Sequence, residues 1–378
     1  ALHRRMCETT RAAGRDEVVR LDAAALTVAR FRRFLRDNRP VLVTGATSGW
    51  SAARDWVHED GSIDVQALSA AYGHCTVPVV DCRGGDYGEQ PRQEMRLADY
   101  LERWSRGDAV GSYLKDWHFV RDCPGAAAYS TPAPFADDWL NWWWTERRGG
   151  EDDYRFVYLG PAGTSTPLHH DVLNTYSWSA NVAGCKRWTL YPPSETPKLV
   201  RGDGKCPADF PPPAPGGVRR VAVVVQRAGE ALFVPCGWYH QVENLEPTLS
   251  INHNWTNGFG LLSMWGFLAS ELAAVRAALA DCRESFAAAG WEAQCERVLR
   301  CNAAMCVSEF FAMLHARLGH LESSTGSGSG SGLRQGLAPD RAIAALGVKL
   351  DEACRGFEGE ARTRLGHWHT TRLEQRGR

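Results

Sequence analysis

The residues that first invite chemistry are Thr166-Pro167-Leu168-His169-His170-Asp171. On an extended strand, residues two apart project from the same face, so His169 and Asp171 can point together while His170 points away. An imidazole and a carboxylate placed this way are two candidate ligands for a divalent metal. A His-x-Asp alone is more often surface or core than a metal site, so its meaning depends on what accompanies it. Further on, Ala231-Leu232-Phe233-Val234 reads as an apolar strand, Pro235-Cys236-Gly237 as a turn, and the next strand carries His240. A rolled antiparallel sheet can bring that strand beside the first. Two histidines and one carboxylate on one face of a metal leave the other face open. That is the ligand pattern of non-haem Fe(II) centres that admit a co-substrate and O2.

A third segment, Thr175 to Pro193, reads as a hairpin turning near Gly184. On its first strand Ser177, Ser179 and Asn181 share one face, and Tyr176, Trp178, Ala180 and Val182 share the other. A polar face on a strand otherwise built for burial is suited to line a wet cavity. On the second strand Lys186 shares a face with Trp188 and Leu190. A compact cation leading an apolar face is suited to meet a carboxylate inside a pocket. The alternative is that Lys186 reaches from the strand end to solvent.

These residues must be held by strands. From about 154 to 257 the chain carries seven short strand-like runs separated by Gly and Pro: 154–159, 175–182, 186–191, 221–226, 231–234, 241–244 and 248–255. Such spacing predicts an all-β barrel or sandwich. Before it, helical spacing over Ala23–Asp37 and Leu97–Trp104 mixes with strands at Val41–Gly45 and Val77–Cys82. After it, Leu261, Leu262, Trp265, Leu268, Leu272 and Val275 make a helical stripe, with helices expected near 286–300, 307–319 and 339–357. The expected organisation is a mixed flank over 1–150, a β core over 151–258 and a helical region over 259–378. Residues 326–332 alternate Gly and Ser like an inserted flexible connector, and Asp203 to Gly217 reads as a Pro-rich loop.

Composition narrows the partners. Lys and Arg number 43 against 44 Asp and Glu in 378 residues, a net charge of −1. That removes the cationic footprint of a nucleic-acid binder and any polybasic argument for a membrane surface. We find no run of about 18 apolar residues that would span a bilayer. Twelve Cys raise a zinc or disulfide reading, but none forms a Cys-x-x-Cys pair, so reduced thiols in the cytosol or nucleus are the expectation. The opening Ala1-Leu2-His3-Arg4-Arg5-Met6 lacks the apolar stretch of a secretory signal.

Three runs at linked spacing, Thr-Pro-Leu-His-x-Asp, Gly-x-Lys-x-Trp-x-Leu-Tyr-Pro-Pro and Val-Pro-x-Gly-Trp-x-His-x-Val, resemble the Jumonji-C family of 2-oxoglutarate-dependent oxygenases. The likeness extends to Val77–Cys82, Tyr113–His118 and Ser250–Phe259, covering most of the chain outside the Gly-Ser run. It implies an α+β protein with a double-stranded β-helix (jelly-roll, cupin-like) core. It implies Fe(II) held by His169, Asp171 and His240, and 2-oxoglutarate paired through its distal carboxylate with Lys186. Thr166, Ser179, Asn252 and Asn254 fall at or beside positions that contact the co-substrate in relatives, although Ser179 stands where some relatives carry Asn. The family chemistry uses O2 to convert 2-oxoglutarate to succinate while hydroxylating a substrate. Within the family, the most similar pattern implies a lysyl hydroxylase of the eukaryotic translation release factor, acting in the cytoplasm. A histone lysine demethylase of the same fold, or a non-catalytic cupin-like binding protein, are the alternatives.

Other residues are read plainly. His170 is expected to pack or to support the ligands rather than bind, His253 to lie in the core or on the surface, Cys185 and Cys236 to be small apolar fillers, and Glu151-Asp152-Asp153 to be a solvated loop. Lys115-Asp116-Trp117-His118 is either a substrate contact or a Trp-anchored loop. Of Trp142-Trp143-Trp144, part is expected in the core and the rest on a surface. The helical end is as well suited to core packing as to dimerisation, so the oligomeric state is open.

Overall fold

The computed structural model describes residues 17–84, 90–200 and 217–326. The helix expected over 339–357 and nearly all of the Gly-Ser and Pro-rich runs lie outside the described residues. Thirteen strands are described: β1 (Val19–Asp22), β2 (Val41–Thr44), β3 (Thr76–Asp81), β4 (Arg92–Arg96), β5 (Ser112–Trp117), β6 (Arg155–Gly160), β7 (Ser165–His169), β8 (Tyr176–Ala183), β9 (Cys185–Tyr191), β10 (Ala222–Arg227), β11 (Ala231–Val234), β12 (Tyr239–Asn244) and β13 (Thr248–Trp255). All seven strands expected between 154 and 257 are present, joined by β7.

The strands form two sheets. The larger runs β1-β2-β11-β8-β13-β6-β5-β3-β4 and the smaller β10-β9-β12-β7. Every described pairing is antiparallel except β1 with β2. The sheets face one another through an apolar layer. Leu42, Leu232 and Val234 of the larger sheet pack against Trp188, Leu190, Ala222, Val224 and Val242 of the smaller. This is the cupin-like core with an α+β flank that the strand spacing and family likeness imply. β8, flanked by β11 and β13, is buried along its whole length, which explains why its polar residues needed partners inside the protein.

Two local features fix the strands that carry the site. Gly184 turns β8 into β9 at φ +79, and a Cβ there would meet the Pro247 carbonyl oxygen at 2.1 Å, so only glycine fits. The turn before β12 is tied to the helix Val28–Asp37. That helix starts at Thr27, whose Oγ1 accepts from Arg30 N at 3.2 Å, and ends at left-handed Asn38. Asn38 Nδ2 donates to the Cys236 carbonyl at 2.9 Å, and Trp238 Nε1 donates to the Asn38 carbonyl at 3.0 Å. The Pro235–Gly237 turn and Trp238, two residues before His240, are thereby clamped.

The chain groups into two compact units. One comprises the chain through Ala136 with Arg148–Asp171 and Tyr176–Asn254, and contains both sheets. The other comprises Asp137–Arg147, Val172–Thr175 and the chain from Trp255. In the second unit the helix Leu261–Ala278 buries Leu261, Met264, Trp265, Leu268, Leu272 and Val275. The expected stripe is thus off by one residue: Leu262 is exposed and Met264 takes its place, one helical turn before Leu268. This helix is long and apolar enough, by length and composition, to meet a membrane-span criterion, so the absence of any such run expected from the sequence is corrected here. Its burial of one stripe against Phe310 and Phe311 through Trp265 is what a packed core helix does.

Candidate metal centre

His169 closes β7 and His240 lies on β12, and the two are direct partners in the β7–β12 ladder. Their rings sit 4.3 Å apart between centroids. The ligand atoms of His169, Asp171 and His240 all lie within 4.8 Å of one another, near enough to share one ion. Each histidine is locked by a backbone carbonyl two residues earlier: His169 Nδ1 to Pro167 at 2.8 Å and His240 Nδ1 to Trp238 at 2.9 Å. A carbonyl can only accept, so each Nδ1 carries the proton and each Nε2 presents a lone pair. Burial, reinforced by His240, pushes His169 down to about 3, so its ring is neutral at physiological pH. Two imidazoles and one carboxylate form a donor set that suits Fe(II) and leaves positions free.

Strand parity explains the proximity of His169 and Asp171 only in part. β7 ends at His169, so Asp171 stands beyond the ladder. After it the chain turns sharply through Leu173 and Asn174, both at positive φ. Asp171 instead reaches the site with its Oδ2 accepting from Ser177 Oγ at 2.7 Å. His170 packs its ring edge-on to Tyr239 and stands outside the ligand group, as expected.

The other expected residues gather on the facing strands. Lys186 is fully buried, and its Nζ donates to Ser250 Oγ at 2.6 Å. The same ammonium lies 5.7 Å from the Tyr158 ring centroid and 6.0 Å from that of Trp188. Among the described residues it has no carboxylate partner, and burial, with Lys115 adding repulsion, lowers it to about 7. A buried cation met only by a hydroxyl and ring faces is matched to an anionic ligand. Ser179 Oγ donates to Asn252 Oδ1 at 2.9 Å, joining two of the expected contacts across β8 and β13. Thr166 lies on β7 three residues before His169, and Asn254 continues the Ser250–Asn252 face of β13, its backbone N–H donating to the Tyr154 carbonyl at 2.9 Å.

Four residues were not foreseen. Ser177 stood out only as one of a polar, cavity-lining face and Ser250 not at all, since nothing local in sequence says which side chain a hydroxyl will meet. Tyr158, buried on β6, donates its hydroxyl to Asp116. Lys115 sits close enough to depress both His169 and Lys186, its Nζ donating to Gln90 Oε1 at 3.3 Å. The Lys115–Trp117 run is a strand rather than a loop, with a bulge that puts Asp116 at φ +58.

A second His and carboxylate group, His118 with Asp152 and Asp153, is an ion-pair network. Asp153 accepts from His118 Nδ1 at 2.9 Å and from Arg155 Nε at 3.0 Å, while Asp152 faces Arg121 at 3.8 Å. These neighbours already use the carboxylate oxygens. Asp153 is buried, so the acidic run is not the wholly solvated loop expected; Arg155 and His118 make its burial possible. His253 is core as expected, its ring 4.1 Å from Trp178 and its Nε2 2.7 Å from the Tyr129 hydroxyl. Cys185 and Cys236 are both buried.

The family model for a cupin-like domain matches residues 27–260. The chain is 39% identical over 311 residues to the human 2-oxoglutarate and iron-dependent oxygenase JMJD4, covering 78% of this chain and 74% of that protein. The chain belongs to the cupin-like JmjC oxygenases. A Drosophila melanogaster JMJD4 homologue is 32% identical over 319 residues, covering 75% of this chain and 74% of its own length. An Arabidopsis thaliana protein named arginine-specific demethylase JMJ20 is 36% identical over 327 residues, covering 79% and 69%. The chain is therefore a 2-oxoglutarate- and iron-dependent oxygenase, and the His169, Asp171 and His240 cluster is its iron-binding-type site.

Proposed function

We propose that this oxygenase hydroxylates a lysine side chain of a protein, the eukaryotic translation release factor, in the cytoplasm. The observation that carries the proposal is the run from Ser250 to Phe259, together with Tyr113–His118, where the sequence resembles the lysyl hydroxylase within the family beyond the motifs all members share. Bound iron and 2-oxoglutarate supply O2 activation, with the co-substrate oxidised to succinate and CO2. In this reading the chain's own residues do the rest. His169, Asp171 and His240 hold the metal, and Lys186 neutralises the distal carboxylate, with Ser250 aiming its Nζ. Thr166, Ser179, Asn252 and Asn254 line the same cavity as co-substrate contacts. Near-neutral net charge accords with a protein partner rather than nucleic acid.

The test uses purified enzyme, Fe(II), 2-oxoglutarate and release factor, read by intact mass and peptide mapping. Gain of one oxygen on an unmodified lysine supports the proposal; an unmodified factor beside active 2-oxoglutarate turnover on other proteins would sink it. A second reading rests on the Arabidopsis relative named as an arginine demethylase. Loss of methyl groups from methyl-arginine peptides, with no oxygen gained on lysine, would replace hydroxylation by that reading. The same assay on methyl-lysine histone peptides separates lysine demethylation. A purely binding role predicts no 2-oxoglutarate-dependent thermal shift with Mn(II).

A further inference from the structure

The three metal-binding side chains are held in two different ways. His169 and His240 sit in one strand ladder, and each ring is oriented by a carbonyl of its own strand region. Asp171 has neither support. It lies past the last ladder residue of β7, and the following chain departs through left-handed Leu173 and Asn174. A carboxylate in that position can rotate about its side-chain torsions unless something outside the segment stops it.

The Ser177 hydroxyl is that outside support. Its Oγ donates to Asp171 Oδ2 at 2.7 Å, the only hydrogen bond to this carboxylate among the described residues. Ser177 itself is 8% exposed and sits on β8 in register with Val234 of β11, so its position is set by the larger sheet. We propose that Ser177 is the positioning residue of the metal site: it holds Oδ2 so that Asp171 presents Oδ1 alone to the ion. With Oδ2 engaged, the carboxylate binds through one oxygen and leaves the remaining coordination positions to co-substrate and O2. Without the hydroxyl, Asp171 either swings out of the ligand set or turns both oxygens toward the metal and takes a position the reaction needs. Partners that orient a ligand in this way matter nearly as much as the ligand.

The inference rests on His169, Asp171 and His240 being the ligands, and the experiment separates the two claims. Mn(II) binding to the full chain without co-substrate is followed by the electron paramagnetic resonance signal of free Mn(II), for parent, Ser177→Ala, Ser177→Cys, Ser177→Thr and His169→Ala. The expected result is Mn(II) affinity roughly 10- to 100-fold weaker in Ser177→Ala and Ser177→Cys. Ser177→Thr, which keeps the hydroxyl, binds close to the parent. The metal-free melting temperature of Ser177→Ala stays within about 4 °C of the parent, as expected when one small group is lost. Ser177→Cys keeps the side-chain volume and decides the matter if the alanine variant folds poorly. Parent-like Mn(II) affinity in Ser177→Ala or Ser177→Cys, with binding lost in His169→Ala, overturns the role of Ser177 alone. Parent-like affinity in His169→Ala as well overturns the ligand assignment and the inference with it.

Discussion

The two sheets contribute different chemistry to one site. The smaller sheet carries the charged and metal-binding groups: His169 at the end of β7, Lys186 on β9 and His240 on β12, with Asp171 just past β7. Apart from Lys115 on β5, the larger sheet carries neutral hydroxyls, an amide and a phenol: Ser177 and Ser179 on β8, Ser250 and Asn252 on β13, Tyr158 on β6. Hydrogen bonds run from one set to the other, Ser177 to Asp171 and Lys186 to Ser250. The division has a physical basis. Charged groups tolerate burial only with fixed polar partners, and a wholly buried central strand such as β8 can supply those partners without adding charge. The difference teaches that the smaller sheet decides whether metal and co-substrate bind, while the larger sheet decides how well they are aimed.

The largest effect should come from the smaller sheet. Replacing His169 or His240 by Ala, or Asp171 by Ala, leaves two ligands on an ion that needs three to sit in facial geometry. Succinate formation should become undetectable, and Mn(II) should no longer raise the melting temperature. Full turnover in any of the three variants would break the comparison at its root. Next is Lys186→Met. Removing one partner of a buried charge pair costs about 2–5 kcal/mol, so 2-oxoglutarate affinity should fall between roughly thirty-fold and several thousand-fold, as measured by calorimetry. The same change should leave the ligand-free protein as stable or more so, because it deletes a buried cation that lacks a counter-charge.

Lys186, on the smaller sheet, also sets a pH dependence. Burial holds its ammonium at about 7 in the free protein, and a bound carboxylate raises it again. Below pH 7 the group is already charged and affinity for 2-oxoglutarate should be flat. Above pH 7 each binding event must take up a proton, so affinity should fall by up to about tenfold per pH unit until the bound form also titrates. Calorimetry in buffers of different ionisation enthalpy reads that proton directly. Affinity that stays level from pH 6 to pH 8.5 would remove Lys186 as the anchor.

Much of this was legible in the sequence because the signals are local. Strands β6 and β8 through β13 are short apolar or alternating runs punctuated by Gly and Pro, and Gly184 and Pro235-Cys236-Gly237 mark their turns. The triad and Lys186 could be proposed from sequence because such residue types, linked at fixed spacing among strand-like runs, need a reason. What failed did so where the cause is distant or the period breaks. β4, Arg92-Gln93-Glu94-Met95-Arg96, has no apolar alternation because it is an edge strand. β5 was not read as a strand, and the bulge at Asp116 interrupts its two-residue period. Burial of Asp153 depends on Arg155 and on His118, thirty-five positions away. The hydroxyls of Ser177 and Ser250 show their roles only once the two sheets face each other.

The smallest expected effect is the sharpest test of the division between the sheets. Ser250 accepts from Lys186 Nζ at 2.6 Å and comes from the sheet assigned to aiming rather than binding. Ser250→Ala removes a hydrogen bond to a charged group, worth about 1.5 kcal/mol, so 2-oxoglutarate affinity should weaken by roughly tenfold and no further. The sign of its pH effect follows. An accepted hydrogen bond favours the charged ammonium, so losing it moves Lys186 further below its present value near 7. The pH at which affinity begins to fall should therefore shift downward, making the variant's deficit larger at pH 8 than at pH 6. Mn(II) affinity without co-substrate should not change, since Ser250 touches no metal ligand. A loss as deep as that of Lys186→Met would place Ser250 among the binding groups and erase the distinction between the sheets. A deficit equal at both pH values would mean that Ser250 holds the co-substrate itself rather than the ammonium.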